Sequence, residues 1–294
     1  MIDTQYRQLL EDILDNGIEV KSQSVNQKDQ VVNALTIIGA KPMRFKLSDG
    51  FPVITERKIS PFIWKSAIGE LLGFINGART QEQLESYGCK WWKPWVTERK
   101  CHKRGLETGD LGPGSYGAAF HDFPTAEGET YNQFANMIQQ IKEQPHLRTH
   151  FISPWVPQFT MRVKGQTQKV VVCPCHGWIH IRILNGKLYL HMFQRSGDVP
   201  IGVPANMIQY AGLTMMLAEV TGYQAAEYIH TISDAHIYVD QVEMVKDILK
   251  REPRPLPKMI LKKKRKNLFD YRPEDFELVD YDPHPAVSNI PVAV

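Results

Sequence analysis

Two runs, WIHIRIL and KLYLHMF, joined by Asn185-Gly186, constrain this fold more than any other stretch of the chain. Apolar and polar residues alternate along both, so each strand has one face to bury. Asn-Gly supplies the two positive-φ residues that a two-residue hairpin turn requires. A sheet with one apolar face must be covered, and the flanking sequence offers helices to cover it. Residues 205–220 read as a mostly apolar helix that has to be buried. Residues 61–75 read as a helix opened by Ser60 and Pro61, with Glu70 in an otherwise apolar second half. Further helices are expected over 3–16, where Tyr6, Leu9, Leu10, Ile13 and Leu14 share a face ahead of Gly17, over 131–142, and, amphipathic, over 235–249. Extended segments are expected at ALTIIG, MRFKL, QFTMRV and KVVVC, and a long loop over 89–117. The fold class is therefore α+β, a mixed, largely antiparallel sheet covered by helices.

The 294 residues contain no repeat, low-complexity tract or Ser/Gly linker, so one domain spanning 1–294 is expected. A net charge of +3, from 35 basic and 32 acidic residues, excludes a strongly polybasic binder. The run LKKKRKN lacks interleaved aromatic residues, so it reads as a solvated loop or strand edge and nucleic acid is not an expected partner. No apolar stretch approaches the ~18 residues of a membrane helix, so no membrane association is expected. The opening MIDTQYRQLLEDILDNG is acidic and amphipathic, unlike a secretory leader, and a cytoplasmic location follows as the expectation. Four cysteines, Cys89, Cys101, Cys173 and Cys175, are too few for a disulfide scaffold and are expected as reduced thiols.

Cys175, in Cys173-Pro174-Cys175-His176, has three readings. It is a buried thiol, or it joins Cys101, His102 and Cys173 around zinc, or it is a nucleophile whose pKa is lowered by Arg195 in QRSGDV. Glu70 is either a paired core carboxylate or a general base in a desolvated site. Asn206, following Pro204, is either a helix-start residue or a buried amide suited to the N3–H/O4 edge of uracil. His236 and Tyr238, in SDAHIYVDQ, are helix-start residues or contacts to sugar hydroxyls.

The ordered set MRFKLSDGFPVIT, GELLGFINGA, GDLGPGSYG, PCH, FQRSGDVPIGVPANM, DAHIY, REPRPLP, FDYRPEDFEL, YDPHP and PVAV resembles the thymidylate synthase family of folate-dependent nucleotide C5-methylases. The resemblance implies a thymidylate synthase-like fold and a homodimer acting on dUMP or a related pyrimidine nucleotide. The implied cosubstrate is 5,10-methylenetetrahydrofolate, with no metal. It implies Cys175 as the thiolate that adds to C6 of the pyrimidine, with His176 beside it in the catalytic set. Arg195 would lie between thiolate and phosphate, with Gln194 and Ser196 on the nucleotide, and Asn206 would read the uracil edge. Glu70 would organise proton transfers, and Tyr116 would assist loss of the C5 proton. His236 and Tyr238 would hold the 3′-hydroxyl, Asp198 the pterin, and Trp92, Trp95 and Gly202 the folate wall. The C-terminal Val294 would close over the ligands, and Arg148 would reach the phosphate of the partner subunit.

The chain departs from the family in three places. DQVVNA stands where an Arg-Thr-Gly-Thr-Gly-Thr loop is usual, Thr149 replaces the second arginine of a pair, and Ala205 replaces a phenylalanine that packs on folate. Lys28 and His150 are the nearest candidates to replace the lost phosphate cations. These departures keep open a sibling reaction, nucleotide hydroxymethylation, in which water captures the C5 methylene. Trp92 and the PVAV tail favour methylation.

Overall fold

The structure is a computed structural model that describes residues 2–22, 24, 30–287 and 290–292. Its main sheet has seven strands: β1 (Ile18–Val20), β2 (Ala34–Ile38), β3 (Met43–Lys46), β4 (Phe151–Ile152), β5 (Trp178–Leu184), β6 (Lys187–Asp198) and β7 (Gln224–Tyr238). The larger helices are α1 (Gln5–Asn16), α2 (Pro61–Ile75), α3 (Tyr116–His121), α4 (Gln133–Glu143), α5 (Gly202–Thr221) and α6 (Val242–Leu249). Spatial order in the sheet is β1-β2-β7-β6-β5-β4, with β3 also paired to β7. Every pairing is antiparallel except β6 with β7, which α5 connects as a crossover. The expected α+β class, a mainly antiparallel mixed sheet with helices, is what the chain adopts.

Local sequence accounts for the principal elements. The Asn185-Gly186 turn has φ of 50° and 74°, and it sets Leu184 opposite Lys187 at the head of the β5–β6 register. Ser60 accepts a hydrogen bond from the Ile63 N–H and Pro61 occupies the first turn, which starts α2 at the expected residue. α5 packs against β6 and β7 on one side and α2 on the other, so it is apolar nearly all round. The opposite face of the sheet is uncovered at β4–β6. There Arg148, Thr149, Phe151, Trp178, His180, His191 and Phe193 line an open groove of about 660 Å³, with Phe151 54% exposed.

Three sequence expectations need correction. QFTMRV and KVVVC are not strands: Pro157–Thr160 is a short helix, Lys169 N–H bonds back to Phe159 O in that helix, and Val171 N–H bonds Leu111 O in a loop. In QFTMRV the alternation does not report a buried face, since Met161 and Val163 are more than half exposed, whereas in KVVVC the adjacent Val170 and Val171 are both buried without a strand partner among the described residues. The helix expected from 235 begins at Val242, because Ala235 pairs with both Ile37 and Gly197, and pairing on two sides outweighs a local helical pattern. The loop expected over 89–117 contains a short helix, Glu98–His102, and ends as α3 begins at Tyr116. Among the described residues no helix is long and apolar enough to cross a membrane.

Candidate active site

Cys175 lies in the irregular segment that leads into β5. Gly177 (φ +100°) lets the chain pass closely there, since a Cβ at this position would stand 2.9 Å from the Phe120 ring and 3.0 Å from Tyr210 Oη. Arg195, on β6, clamps the segment through four contacts. Its backbone N–H donates to Cys175 O (2.8 Å), Nε to Pro174 O (2.7 Å), and Nη2 to Cys173 O (3.0 Å) and Cys175 Sγ (3.3 Å). The Trp155 ring lies 5.7 Å from the guanidinium. The Tyr116 hydroxyl accepts the Cys175 N–H at 2.6 Å. Burial pushes the Cys175 thiol up, and the Arg195 charge opposes that rise. Phe74, Tyr116 and His176 form a three-ring stack with centroid spacings of 4.7 and 4.5 Å, and His176 Nδ1 bonds Tyr210 Oη at 2.6 Å. Burial, aided by Arg195, lowers the His176 pKa to about 3, so its imidazole is neutral at physiological pH.

On the α2–α5 side a chain of buried side chains ends at Glu70. Trp92 Nε1 donates to Glu70 Oε1 (2.6 Å) and Gln209 Nε2 to Glu70 Oε2 (2.7 Å), while the Cys89 thiol lies 3.9 Å from Oε1. Asn206 donates from Nδ2 to Gln209 Oε1 (3.0 Å) and accepts at Oδ1 from Gln194 Nε2 (3.1 Å). Gln194 Oε1 bonds His230 Nε2 at 2.8 Å. Burial raises the Glu70 pKa to about 6 against the pull of its three donors, which suits a carboxyl that exchanges protons near neutrality.

The far end of β6 and β7 carries a second polar group. Asp198 accepts from Ile201 N–H (3.2 Å) and from Gln241 Nε2 (3.2 Å), and burial lifts its pKa to about 6. His236 Nδ1 bonds Asp234 Oδ1 (3.2 Å), and its ring meets Tyr238 edge to face at 5.2 Å. The Tyr238 hydroxyl donates to Ser24 Oγ at 3.1 Å. Ser196 pairs with Asp234 across the β6–β7 ladder, which sets Ser196 between Arg195 and this cluster along the strand. Gln241, fully buried, serves three segments: it accepts from Tyr238 N–H (3.0 Å), donates to Asp198, and donates to Pro291 O in the C-terminal segment (2.9 Å). Gln241→Leu therefore strips a partner from the buried Tyr238 N–H and from the half-buried Asp198 carboxylate and Pro291 carbonyl, and is expected to cost about 2 kcal/mol in urea unfolding. An unchanged midpoint would contradict that accounting.

The sequence model of one protein family, described as Thymidylate synthase, matches residues 4–294. The chain belongs to the thymidylate synthase family. Membership carries folate-dependent pyrimidine C5 methylation or hydroxymethylation, a dUMP-type nucleotide, and methylenetetrahydrofolate as cosubstrate. The residues expected at the folate of a thymidylate synthase have suitable chemistry. Asp198 is a half-buried carboxyl whose pKa is lifted to about 6, a match for a polar pterin edge, and Trp92 and Trp95 are half-buried indoles 6.0 Å apart. A Cβ at Gly202 would meet nothing nearer than Asn206 Oδ1 at 4.0 Å, so space lies open beside that amide.

The fold thus joins Cys175, His176, Tyr116 and Arg195 in one cluster, Glu70, Trp92, Asn206 and Gln194 in a second, and Asp198, His236 and Tyr238 in a third. Arg148 is exposed on the open sheet face, 30 residues before β5, where it lines the groove with Trp178 and Phe193. His150 is not a replacement phosphate cation: it is fully buried, bonds Gln140 Oε1 at 2.9 Å, and burial lowers its pKa. Lys28 and Val294 lie outside the described residues. Cys101 and Cys173 each direct the thiol to a backbone carbonyl at 3.5 Å, and among the described residues no cluster of three His, Cys, Asp or Glu is gathered to hold a metal. In the basic run, Lys264 makes a surface pair with Glu219, while Arg265 grips the buried Asp275 carboxylate with two hydrogen bonds, a structural contact. Sequence reasoning missed Gln209, Gln241 and Trp155. Gln209 carried a signal, a lone amide three residues after Asn206 in an apolar helix.

Proposed function

We propose that this protein catalyses the reductive C5-methylation of dUMP to dTMP, with methylenetetrahydrofolate as one-carbon and hydride donor, through a covalent bond between Cys175 and pyrimidine C6. The observation that carries the reading is the Arg195 clamp, which fixes a cationic donor 3.3 Å from the Cys175 sulfur and so favours the thiolate. In the reaction the thiolate bonds to C6 and the C5–C6 π electrons move onto O4, making C5 nucleophilic. Asn206 holds the N3–H and O4 edge while charge develops there. Glu70 shuttles protons around O4 and the folate. Once C5 has bonded to the one-carbon unit, Tyr116 assists loss of the C5 proton to water and the C5–H electron pair expels the folate amine, leaving an exocyclic methylene. Hydride from the folate then adds to that methylene, and the displaced electrons expel the Cys175 thiolate. His176 stays neutral and holds Tyr116 by stacking. Ser196, Gln194 and Arg195 contact the nucleotide, and His236 with Tyr238 holds the sugar hydroxyl. Asp198, Trp92, Trp95 and Gly202 receive the folate.

The protein acts in the cytoplasm as a homodimer. The uncovered sheet face supports the homodimer: Trp155, Trp178 and Phe193 form a continuous aromatic row, with centroids 6.0 and 5.8 Å apart, from beside Arg195 to the groove that holds Arg148. Facing copies would bury that row and bring Arg148 to the partner's phosphate.

One feature favours the sibling reaction. Ala205, half-buried in the first turn of α5 beside Asn206, leaves the folate wall smaller than a phenylalanine would, and water admitted there yields a 5-hydroxymethyl product. A single assay separates the two outcomes. Purified protein with dUMP and methylenetetrahydrofolate is expected to give dTMP and an equal amount of dihydrofolate. A hydroxymethylated nucleotide with tetrahydrofolate would replace the first reading by the second.

A further inference from the structure

We infer that Gln209 is a positioning residue that fixes which way Asn206 faces the base, and so sets the preference for a uracil over a cytosine nucleotide. The inference rests on the reading of Asn206 as the residue that meets the base edge.

An amide has a donor end and an acceptor end, and which end meets the base decides which base fits. Here the order is imposed by backbone carbonyls, which can only accept. Gln209 Nε2 spends one hydrogen on Ala67 O (3.0 Å) and the other on Glu70 Oε2 (2.7 Å), so Gln209 must turn its Oε1 toward Asn206. Gln194 Nε2 spends one hydrogen on Ser196 O (2.9 Å), and the other goes to Asn206 Oδ1 (3.1 Å). Asn206 is held between them, with Nδ2 toward Gln209 and Oδ1 toward Gln194. Rotating its amide by half a turn would set oxygen against oxygen at one end and N–H against N–H at the other. All of this occurs where water does not reach: Gln209 and His230 are fully buried, and Gln194 is 2% exposed.

Each of these bonds uses one hydrogen or one lone pair, so Asn206 keeps one Nδ2 hydrogen and one Oδ1 lone pair in a fixed order. Uracil offers an acceptor at O4 and a donor at N3, which match that order. Cytosine offers a donor at N4 and an acceptor at N3, and would require the reverse. Gln209 also ties the base reader to Glu70, whose ionised form accepts its hydrogen bond. The titratable groups facing Glu70 are the Cys89 thiol, the Tyr116 phenol and the Tyr210 phenol. All three are raised by burial and neutral near pH 6, so Gln209 and Trp92 are the donors that hold the carboxylate.

The alternative is that Gln209 merely struts α2 against α5. The test measures kcat/KM for dUMP against dCMP, with dCMP read as substrate or as competitive inhibitor, and the pH profile, in wild type, Gln209→Met, Gln209→Glu and Asn206→Asp. Gln209→Met removes one of the two holds on the Asn206 amide, leaving Gln194 alone to orient it, and removes a donor from Glu70. The uracil preference is expected to fall at least about tenfold, and the acid limb to move up by roughly one pH unit. Gln209→Glu keeps an acceptor for Asn206 but adds a carboxyl beside Glu70, so the preference stays and the acid limb rises further. Should Gln209→Met not fold, Gln209→Asn, too short to span Glu70 and Asn206 together, is expected to lower the preference in its place. An unchanged preference in Gln209→Met or Gln209→Asn, alongside a shift toward cytosine in Asn206→Asp, reduces Gln209 to a strut and overturns the inference. No shift in Asn206→Asp overturns the base-reading role on which the inference stands.

Discussion

Cys175→Ser is expected to lower kcat for dUMP by at least about ten-thousand-fold while leaving the fold intact. The hydroxyl is nearly isosteric with the thiol, and the Arg195 contacts to Pro174 O and Cys173 O do not involve the sulfur, so the segment keeps its clamp. What is lost is the nucleophile. A serine hydroxyl ionises far less readily than a thiol, and the guanidinium that opposes burial at Cys175 cannot bridge that gap. Turnover and thermal unfolding measured together check this, and substantial residual turnover would remove Cys175 from the chemistry.

Glu70→Gln is expected to cost about 10² to 10³ in kcat, the range for a lost general acid–base group. The pH dependence carries more information than the size of the loss. Burial raises the Glu70 carboxyl to about 6, so in the wild type the ionised form grows in, and kcat rises, as pH increases through 6. An amide does not titrate, and the limb should vanish from kcat at saturating folate. Asp198 is also lifted to about 6, so a limb in kcat/KM for folate is expected to survive the substitution. A kcat profile with the wild-type limb intact would assign that proton to another group.

Much of the site was legible in the sequence because its residues break local rules. Glu70 interrupts an apolar helix face, Asn206 opens a helix that is otherwise buried, and Cys175 sits between Pro174 and His176. Such conflicts between residue and surroundings are readable wherever the element itself is readable, as α2, α5 and the Asn185-Gly186 hairpin were. The 15-residue strand β7 was not, because His236 and Tyr238 sit in a stretch whose pattern admits a helix and whose strand character comes from partners distant in sequence. QFTMRV and KVVVC failed in the opposite direction: their β-branched and alternating residues resemble strands, but Met161 and Val163 stay exposed and Val170 and Val171 pack without a strand partner among the described residues. The hydrogen-bond order at Asn206 was beyond sequence reasoning, since it depends on the carbonyls of Ala67 and Ser196, which come from two different elements. The absence of two of the usual phosphate arginines was plain from sequence, and the structure removes His150 as a substitute by burying it.

The most direct measurement is the mass of the Cys175 peptide after reaction with 5-fluoro-dUMP and methylenetetrahydrofolate. Fluorine cannot leave C5 as a cation, so a nucleotide bonded at C6 should remain trapped on the protein when it is denatured and digested. The account predicts a peptide containing Cys175 that carries the nucleotide, at up to one per chain, and none in Cys175→Ser. Nucleotide bound to another cysteine, or dUMP turnover with the Cys175 peptide always unmodified, would contradict it.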